Sequence, residues 1–527
     1  MKETFHRNVS LTILIAILGI LAFSIVYINF SSVPGFYDAD MYCDYRYAME
    51  AWKYKSLFPD GWIFGNQLNA VSTPVLAAVI FGFTDHINFS MAAACSIMAV
   101  LVMICFDWML KPVLKTVESR LMAAVLLITV CLYCGNAVQG NQGWTLLFTM
   151  CSYYAGYSIT AFLAFGCYLR ARMGYSGKLA AIVVLTCILS FGTGIQSIRQ
   201  TAIMICPMLA VEFFRLVFSF QEWKKNKTPL WVTLGISVAN ILGLIYVRIM
   251  PINQYQVFGE INLISLGDLK NSLEGSFSLI QDLLRANAKE DLLVSVIMGV
   301  VCIGALFLIL KNVRKENGSS TVTLMLLIVF SVLIILVVDI FTTMYVRPRY
   351  YFMLYPLIAF LAAYVYDKRN RILQYSLLAL VVAFFCVASV RNFPGVYEDI
   401  KKEKNAETHA ISQYLTENGY GTIYAEWMLA QDIAVASDGA LAVGYWYVEE
   451  EPFEKVTHLS NEQIYSEDAP YCVYLFKGAD DAQIGIDVAD SLGVPLEFLQ
   501  HFPERDIFIY TASENLMQVL ATQGIVK

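Results

Sequence analysis

The stretch VSTPVLAAVIFGF at residues 71–83 decides how this chain crosses a membrane, because it has two interpretations. It is apolar, but it is shorter than the about 20 residues with which a helix spans the hydrocarbon core. If it crosses, the middle basic clusters fall on the outer side. If it does not, every basic cluster falls on the inner side, which basic loops favour, so we predict a helix at the outer face. These clusters are Lys2/Arg7, Lys111/Lys115, Arg170/Arg172/Lys178, Lys224/Lys225/Lys227, Lys311/Arg314/Lys315 and Lys368/Arg369/Arg371.

Long apolar runs separated by short polar segments fill residues 1–390. The chain is 58% hydrophobic and 15% charged, whereas soluble domains carry about 25% charged residues. We predict a polytopic membrane protein with about 11 spanning helices, a cytoplasmic N-terminus and an extracytoplasmic C-terminal domain. The predicted spans are residues 9–30, 88–110, 120–138, 146–169, 179–195, 201–219, 230–250, 291–310, 321–345, 350–366 and 372–390.

Residues 391–527 have the composition of an ordinary soluble domain. Runs rich in β-branched and aromatic residues alternate with helix-like runs, so we predict a small extracytoplasmic α/β domain. The net charge of −7 comes largely from this region, and it gives no indication of a nucleic-acid partner. The predicted helix is residues 406–415, and the predicted strands are 422–425, 471–476 and 507–510.

The twelve cysteines do not form a recognisable framework. All but two lie in apolar runs, where cysteine acts as a small hydrophobic residue. Cys43 and Cys472 lie in polar segments, and a disulfide between them is an alternative to two free thiols. No cluster has the spacing of a zinc site.

The outer loop at residues 31–87 begins with two carboxylates, Asp38 and Asp40, shortly after the first span. A stripe from Tyr45 to Trp52 has helical spacing, which predicts an amphipathic helix on the membrane surface. Carboxylates at this boundary suit a general base or a site for a divalent cation such as Mg or Mn. The alternative is that one of them caps the helix, because Asp is a favoured N-cap residue.

The same loop carries motifs of a known family. Two acids after the first span, followed by a short amphipathic helix that ends at Phe58-Pro59, resemble the GT-C superfamily of membrane glycosyltransferases. This superfamily includes the protein O-mannosyltransferases and the aminoarabinose transferases of lipid A. The segment from Ser72-Thr73-Pro74 to Ile80-Phe81-Gly82 is similar to the family's "Pro-Pro-Leu … Leu-Phe-Gly" stretch. In the family the acids are usually adjacent, whereas here Ala39 separates them.

The resemblance implies a GT-C-like fold for residues 1–390 in a plasma membrane, with a bacterial source expected. It implies transfer of a sugar from a polyprenyl-phosphate donor to a glycan, lipid or protein acceptor on the outer face. The first-loop acid is then the catalytic base, and the position relative to Pro59 favours Asp40, with Asp38 next.

Several residues on the predicted outer side are basic, although basic residues are usually enriched in loops on the inner side. Arg347, Arg349 and Tyr350 lie in a turn that resembles the family's Arg-Tyr … Pro segment. A guanidinium group pairs well with phosphate oxygens, so the resemblance implies that these residues hold the donor phosphate. The alternatives are anionic lipid headgroups or a nearby acid such as Asp339. Arg199 is a second outward-facing candidate.

Other interpretations stay open from the sequence alone. His86, at the end of the outer loop, is a candidate for the substrate site, for acid–base work or for a metal, and a purely structural role is the alternative. A flippase or transporter needs polar midplanes and often paired repeats, which these runs lack. A non-catalytic receptor or scaffold uses its outer domain for binding. Convergence of the aspartates and the outward arginines on one outer cavity with a lipid-wide side opening favours the enzyme, whereas a through-going path favours transport.

Overall fold

The membrane region is a bundle of helices. The computed structural model describes residues 2–31, 39–65, 67–135, 143–174, 179–254, 262–265, 267–285, 292–312, 318–344, 346–367, 371–403, 407–446, 459–465 and 472–522. The helices of the bundle are α1 (Lys2–Ser31), α2 (Ala39–Lys53), α3 (Thr73–Thr84), α4 (Ile87–Leu110), α5 (Val117–Cys134), α6 (Trp144–Leu147), α7 (Ala155–Arg172), α8 (Leu179–Gln196), α9 (Cys206–Phe218), α10 (Phe220–Lys225), α11 (Thr228–Ile249), α12 (Leu269–Leu284), α13 (Leu292–Asn312), α14 (Gly318–Phe341), α15 (Leu354–Asp367) and α16 (Arg371–Glu403). A π-helical turn, Thr201–Ile205, leads into α9, and a 3-10 turn, Pro348–Tyr351, precedes α15.

The spanning helices agree with the predicted multi-pass architecture. Within the described residues, 9 helices are long and apolar enough to cross a membrane, and each coincides with a predicted span. The two other predicted spans are α7 and α15, with 18 and 14 residues. Most of their side chains are buried inside the bundle. A helix surrounded by other helices needs no continuous lipid-facing apolar surface, which explains why α7 is less apolar than the other spans, whereas α15 differs from them by its shorter length.

The segment at residues 71–83 forms α3, which has 12 residues. This corresponds to a length of about 18 Å, shorter than the hydrocarbon core of about 30 Å, so α3 is too short to cross, as predicted. It packs closely against α2, because a Cβ atom on Gly82 would lie 2.1 Å from the Trp52 ring.

The apolar stripe of α2 is not free to rest on the membrane surface, so that prediction is wrong. Tyr45 and Ala48 are buried at 5% and 0% exposure. The helix packs against α3 on one side and the C-terminal unit on the other. The periodicity identified an apolar face correctly, but protein covers that face instead of lipid.

Helices α8 and α11 approach each other closely through glycine. A Cβ atom on Gly194 would lie 2.2 Å from the carbonyl oxygen of Asn240, and one on Gly243 would lie 2.2 Å from that of Phe191. The Asn240 amide also donates to the Ser190 carbonyl at 3.0 Å. Small residues allow such close backbone contact between membrane helices. This contact anchors α8, and the segment that carries Arg199 begins where this helix ends.

Gly243→Ala is expected to destabilise the protein by several degrees in melting temperature, because the new methyl group overlaps backbone atoms of α8. Gly235→Ala, on the same helix, is the matched control. There the nearest atom to a Cβ is the Cys187 sulfur at 3.9 Å, and alanine favours helix over glycine by about 1 kcal/mol. Thermal unfolding in detergent measures both. Equal melting temperatures for the two variants contradict the tight α8–α11 contact.

The C-terminal unit is an α/β fold, as predicted. Its helices are α17 (Glu407–Glu417), α18 (Trp427–Ala436), α19 (Ala479–Ser491) and α20 (Leu516–Thr522). The strands of the chain are β1 (Trp62–Ile63), β2 (Thr422–Glu426), β3 (Ala442–Trp446), β4 (Ser460–Asn461), β5 (Cys472–Lys477), β6 (Leu496–Phe502) and β7 (Ile507–Ala512). A 5-stranded sheet has the order β3-β2-β5-β7-β6. Strands β3, β2 and β5 are parallel to one another, and β7 is antiparallel to both of its neighbours, β5 and β6.

The C-terminal unit is joined to the outer loop by backbone pairing. Strand β1 of the outer loop pairs antiparallel with β4, with Trp62 opposite Asn461. Helix α16 continues through the predicted domain boundary at residue 391 to Glu403. Cys43 and Cys472 are both buried free thiols, so the disulfide alternative is not formed.

Candidate functional site

The predicted base lies at the start of the outer-loop helix. Asp40 belongs to the first turn of α2, which begins at Ala39, but its side chain falls outside the part of the chain that the structure describes. Asp38 also lies outside the described residues. The choice between Asp40 and Asp38 therefore stays a prediction.

Arg199 joins three segments that are distant in the sequence. One of its guanidinium nitrogens donates to the Gln67 side-chain oxygen at 2.8 Å, and another donates to the Tyr350 hydroxyl at 2.8 Å. The guanidinium carbon lies 4.6 Å from the centre of the Tyr350 ring. The outer loop, the segment after α8 and the turn before α15 therefore converge at one half-buried arginine.

Arg349 reaches the same cluster through a tyrosine. The Tyr154 hydroxyl lies within electrostatic reach of the guanidinium groups of both Arg199 and Arg349. The Tyr154 ring is buried and packs against Phe352, with ring centres 4.9 Å apart. Tyr154 is therefore a buried aromatic residue whose hydroxyl lies near two arginines that the sequence places far apart.

The two arginines of this cluster have neutral partners. Among the described residues, no carboxylate pairs with Arg199 or Arg349; the groups around them are the Gln67 amide and the hydroxyls of Tyr350 and Tyr154. A half-buried cation without a counter-ion retains much of its attraction for an anion. This arrangement suits recognition of a phosphate, because guanidinium donors match its oxygens.

The remaining predicted residues occupy other positions. Arg347 is exposed, at the start of the turn that carries Arg349 and Tyr350. His86 lies at the junction with the C-terminal unit, where its Nδ1 is 2.8 Å from an Asp438 carboxylate oxygen. The structure therefore brings Arg199, Arg349 and Tyr350 together, while His86 contacts another part of the molecule.

In the part of the chain that the structure describes, Asp339 forms a hydrogen bond with a tyrosine and not with the arginines that the sequence suggested. It accepts a hydrogen bond of 2.6 Å from the Tyr351 hydroxyl, whereas the sequence pointed to Arg347 or Arg349. Tyr351 follows these residues in the same turn. The carboxylate therefore holds the turn that presents Arg349 and Tyr350 towards Arg199.

Arg46 on α2 connects the helix that bears Asp40 to the C-terminal sheet. It is only 7% exposed and donates to the Val443 carbonyl at 2.8 Å. Its guanidinium carbon lies 5.3 Å from the Tyr445 ring centre and 5.9 Å from the Trp62 ring centre. Burial raises the pKa of the neighbouring Tyr465 phenol to about 12, so this aromatic shell is neutral at physiological pH.

Arg46→Met is expected to destabilise the protein by about 2–4 kcal/mol, because it removes a charged hydrogen bond and two cation–π contacts. Lys53→Met, on the same helix but exposed, controls for loss of charge and is expected to change stability little. Thermal unfolding in detergent, together with protease sensitivity of the C-terminal unit, measures the effect. Equal stability of the two variants contradicts the role of Arg46 as the link.

Sequence reasoning missed three residues of this region: Gln67, Tyr154 and Arg46. Gln67 and Tyr154 lie in no motif, and only their contacts with the arginines identify them. Arg46 had a usable signal, because a charge beside an apolar stripe needs a partner when that face is buried. Tyr445, which lies beside Arg46, is buried and stacks on Trp427.

A metal site is not apparent in the described part of the chain. Within those ranges, no group of three or more His, Cys, Asp or Glu side chains is placed to hold an ion. The predicted Mg or Mn site involves Asp38 and Asp40, whose side chains are outside the description, so it stays a prediction.

Comparisons with known proteins give one structural match to report. No family model matches the chain, and no curated protein matches its sequence. The chain is similar in fold to the crystal structure of ArnT from Cupriavidus metallidurans bound to undecaprenyl phosphate. The TM-score is 0.48 at 10% sequence identity, over 95% of this chain and 98% of that chain.

Proposed function

We propose that this protein transfers a sugar from a polyprenyl-phosphate donor to an acceptor at the outer face of the membrane. The observation that carries the proposal is the pair Arg199 and Arg349, which lie beside one tyrosine and lack a described carboxylate partner. Arg199 follows α8 and Arg349 precedes α15, so both lie at the ends of membrane helices. The phosphate of a membrane-embedded lipid lies at the same depth. An apolar bundle holds the lipid tail, and the arginines hold the charged leaving group.

The proposed reaction is a direct displacement with inversion. Asp40, or Asp38 in its place, accepts the proton of an acceptor hydroxyl, whose oxygen attacks the anomeric carbon of the sugar. The bond from that carbon to the phosphate oxygen breaks, and the polyprenyl phosphate leaves with the electron pair. Arg199 and Arg349 stabilise the negative charge that develops on this phosphate.

The direct test measures donor consumption. The full chain in nanodiscs is incubated with a panel of polyprenyl-phosphate sugars and a cell-envelope extract as acceptor, and released polyprenyl phosphate is quantified by mass spectrometry. We expect consumption of one donor class, with inversion at the anomeric carbon. If no donor is consumed but a fluorescent lipid-linked oligosaccharide changes leaflet, the flippase alternative replaces this proposal.

A further inference from the structure

A cavity of ≈ 390 Å³ lies between α2, α3 and the C-terminal unit. Its size falls in the range of about 300–1,000 Å³ that is typical of small-molecule sites. It is separate from the cluster around Arg199, whose residues are not among its walls. The side chains that give it its polar character are Arg46, Glu50, Lys53, Asn461 and Gln463.

The walls of this cavity combine charges of both signs with amide groups. Arg46 and Lys53 oppose a cationic ligand, whereas Glu50 opposes an anionic one. Within the protein, the Asn461 amide donates to Glu50 at 3.0 Å and the Tyr54 hydroxyl donates to the Gln463 side-chain oxygen at 2.9 Å. Hydroxyl groups both donate and accept hydrogen bonds, so a neutral polyhydroxylated ligand matches the remaining donors and acceptors of such a mixed wall. Phe81 and Met49 add an apolar surface against which the C–H face of a sugar ring can pack.

Arg46 retains a donor without a partner. Its Nη1 atom has no hydrogen-bond acceptor among the described residues, although the side chain is more than nine-tenths buried. Buried polar atoms are nearly always satisfied, so such an atom calls for an explanation. The Nη1 atom itself is closed off from solvent, so a ligand hydroxyl oxygen becomes its acceptor only when the Arg46 side chain moves towards the cavity that it lines.

We propose that this cavity binds one unit of a neutral, extended saccharide, the acceptor of the reaction; the acceptor role rests on the proposed function. Glu50 lies on the same helix as Asp40, about 15 Å farther along the axis according to the helical rise per residue. An acceptor that is held at Glu50 and reacts at Asp40 must span this distance. A monosaccharide is too short, so the acceptor class is an oligosaccharide or polysaccharide.

The test fills the cavity at Gly421, which belongs to its wall. A Cβ atom there meets no other atom within 4 Å, so Gly421→Trp adds bulk without a backbone clash. Gln483→Trp, at an exposed site on α19 that does not line the cavity, is the matched control. Glu50→Gln is a second variant, which keeps the shape of the cavity and removes its negative charge.

Binding is measured with the full chain in nanodiscs on an array of neutral bacterial-envelope oligosaccharides, their phosphorylated forms and the component monosaccharides. We expect the wild type to bind at least one neutral oligosaccharide, at least ten-fold more weakly in Gly421→Trp and Glu50→Gln and unchanged in Gln483→Trp. The proposal is overturned if the wild type binds no oligosaccharide, if it prefers phosphorylated forms or monosaccharides, or if both cavity variants bind as tightly as the wild type.

A kinetic measurement separates this proposal from the proposed function. With the bound oligosaccharide as acceptor, Gly421→Trp is expected to raise its KM at least ten-fold. If wild type consumes the donor but Gly421→Trp and Glu50→Gln show the wild-type KM, the acceptor site is wrong and glycosyl transfer stands. If wild type binds the oligosaccharide but consumes no donor in the panel, glycosyl transfer is wrong and only the saccharide site stands.

Discussion

Asp40→Asn is expected to lower sugar transfer by about 10²–10⁴-fold, the usual contribution of a general base. The substitution distinguishes a base from a helix cap. Asn caps a helix N-terminus about as well as Asp, so a residue that only starts α2 tolerates it. A large loss of transfer with unchanged melting temperature identifies Asp40 as the base.

Asp38→Asn is the matched control for Asp40→Asn, because Asp38 is the second candidate in the same loop. We expect Asp38→Asn to retain most of the transfer rate. The reverse result, a large loss in Asp38→Asn alone, moves the base to Asp38 and leaves the reaction unchanged. Full transfer by both variants at normal expression contradicts the proposed mechanism.

Arg199→Gln is expected to weaken use of the donor by about 10–100-fold in kcat/KM, because a hydrogen bond from a charged group contributes about 1.5–3 kcal/mol. Arg199→Lys keeps the positive charge, but an ammonium group cannot reproduce the planar geometry with which the guanidinium group donates to both Gln67 and Tyr350. An intermediate loss is therefore expected. Arg248→Gln removes an exposed arginine at the end of α11 and is the control. Released polyprenyl phosphate is again the measured product.

Combining Arg199→Gln with Arg349→Gln tests whether both arginines act on one phosphate. Groups that contact the same ligand give non-additive effects, whereas independent sites add within about 0.3–0.5 kcal/mol. We expect the double variant to lose less than the sum of the single losses. Strict additivity places the two arginines on different ligands and removes the observation that carries the proposed function.

Local sequence patterns predicted the elements well, because hydropathy and periodicity are properties of neighbouring residues. The apolar runs gave the spanning helices, and α3 was recognised as too short to cross from its length and from the placement of basic clusters. The β-branched runs at 422–425 and 507–510 became β2 and β7. The apolar stripe of α2 was assigned to the membrane surface, but protein covers it. A sequence pattern identifies an apolar face without telling whether lipid or protein covers that face.

The sequence by itself determined a multi-pass helical bundle with a C-terminal α/β unit, and it placed Arg199, Arg349 and Tyr350 among the candidates. Only the tertiary structure decided that Arg199 meets Gln67 and Tyr350, and that His86 instead faces the C-terminal unit. The physical reason is that hydropathy acts along the chain, residue by residue. Hydrogen bonds between segments more than a hundred residues apart depend on how whole helices pack, and glycine contacts such as that of α8 with α11 set that packing.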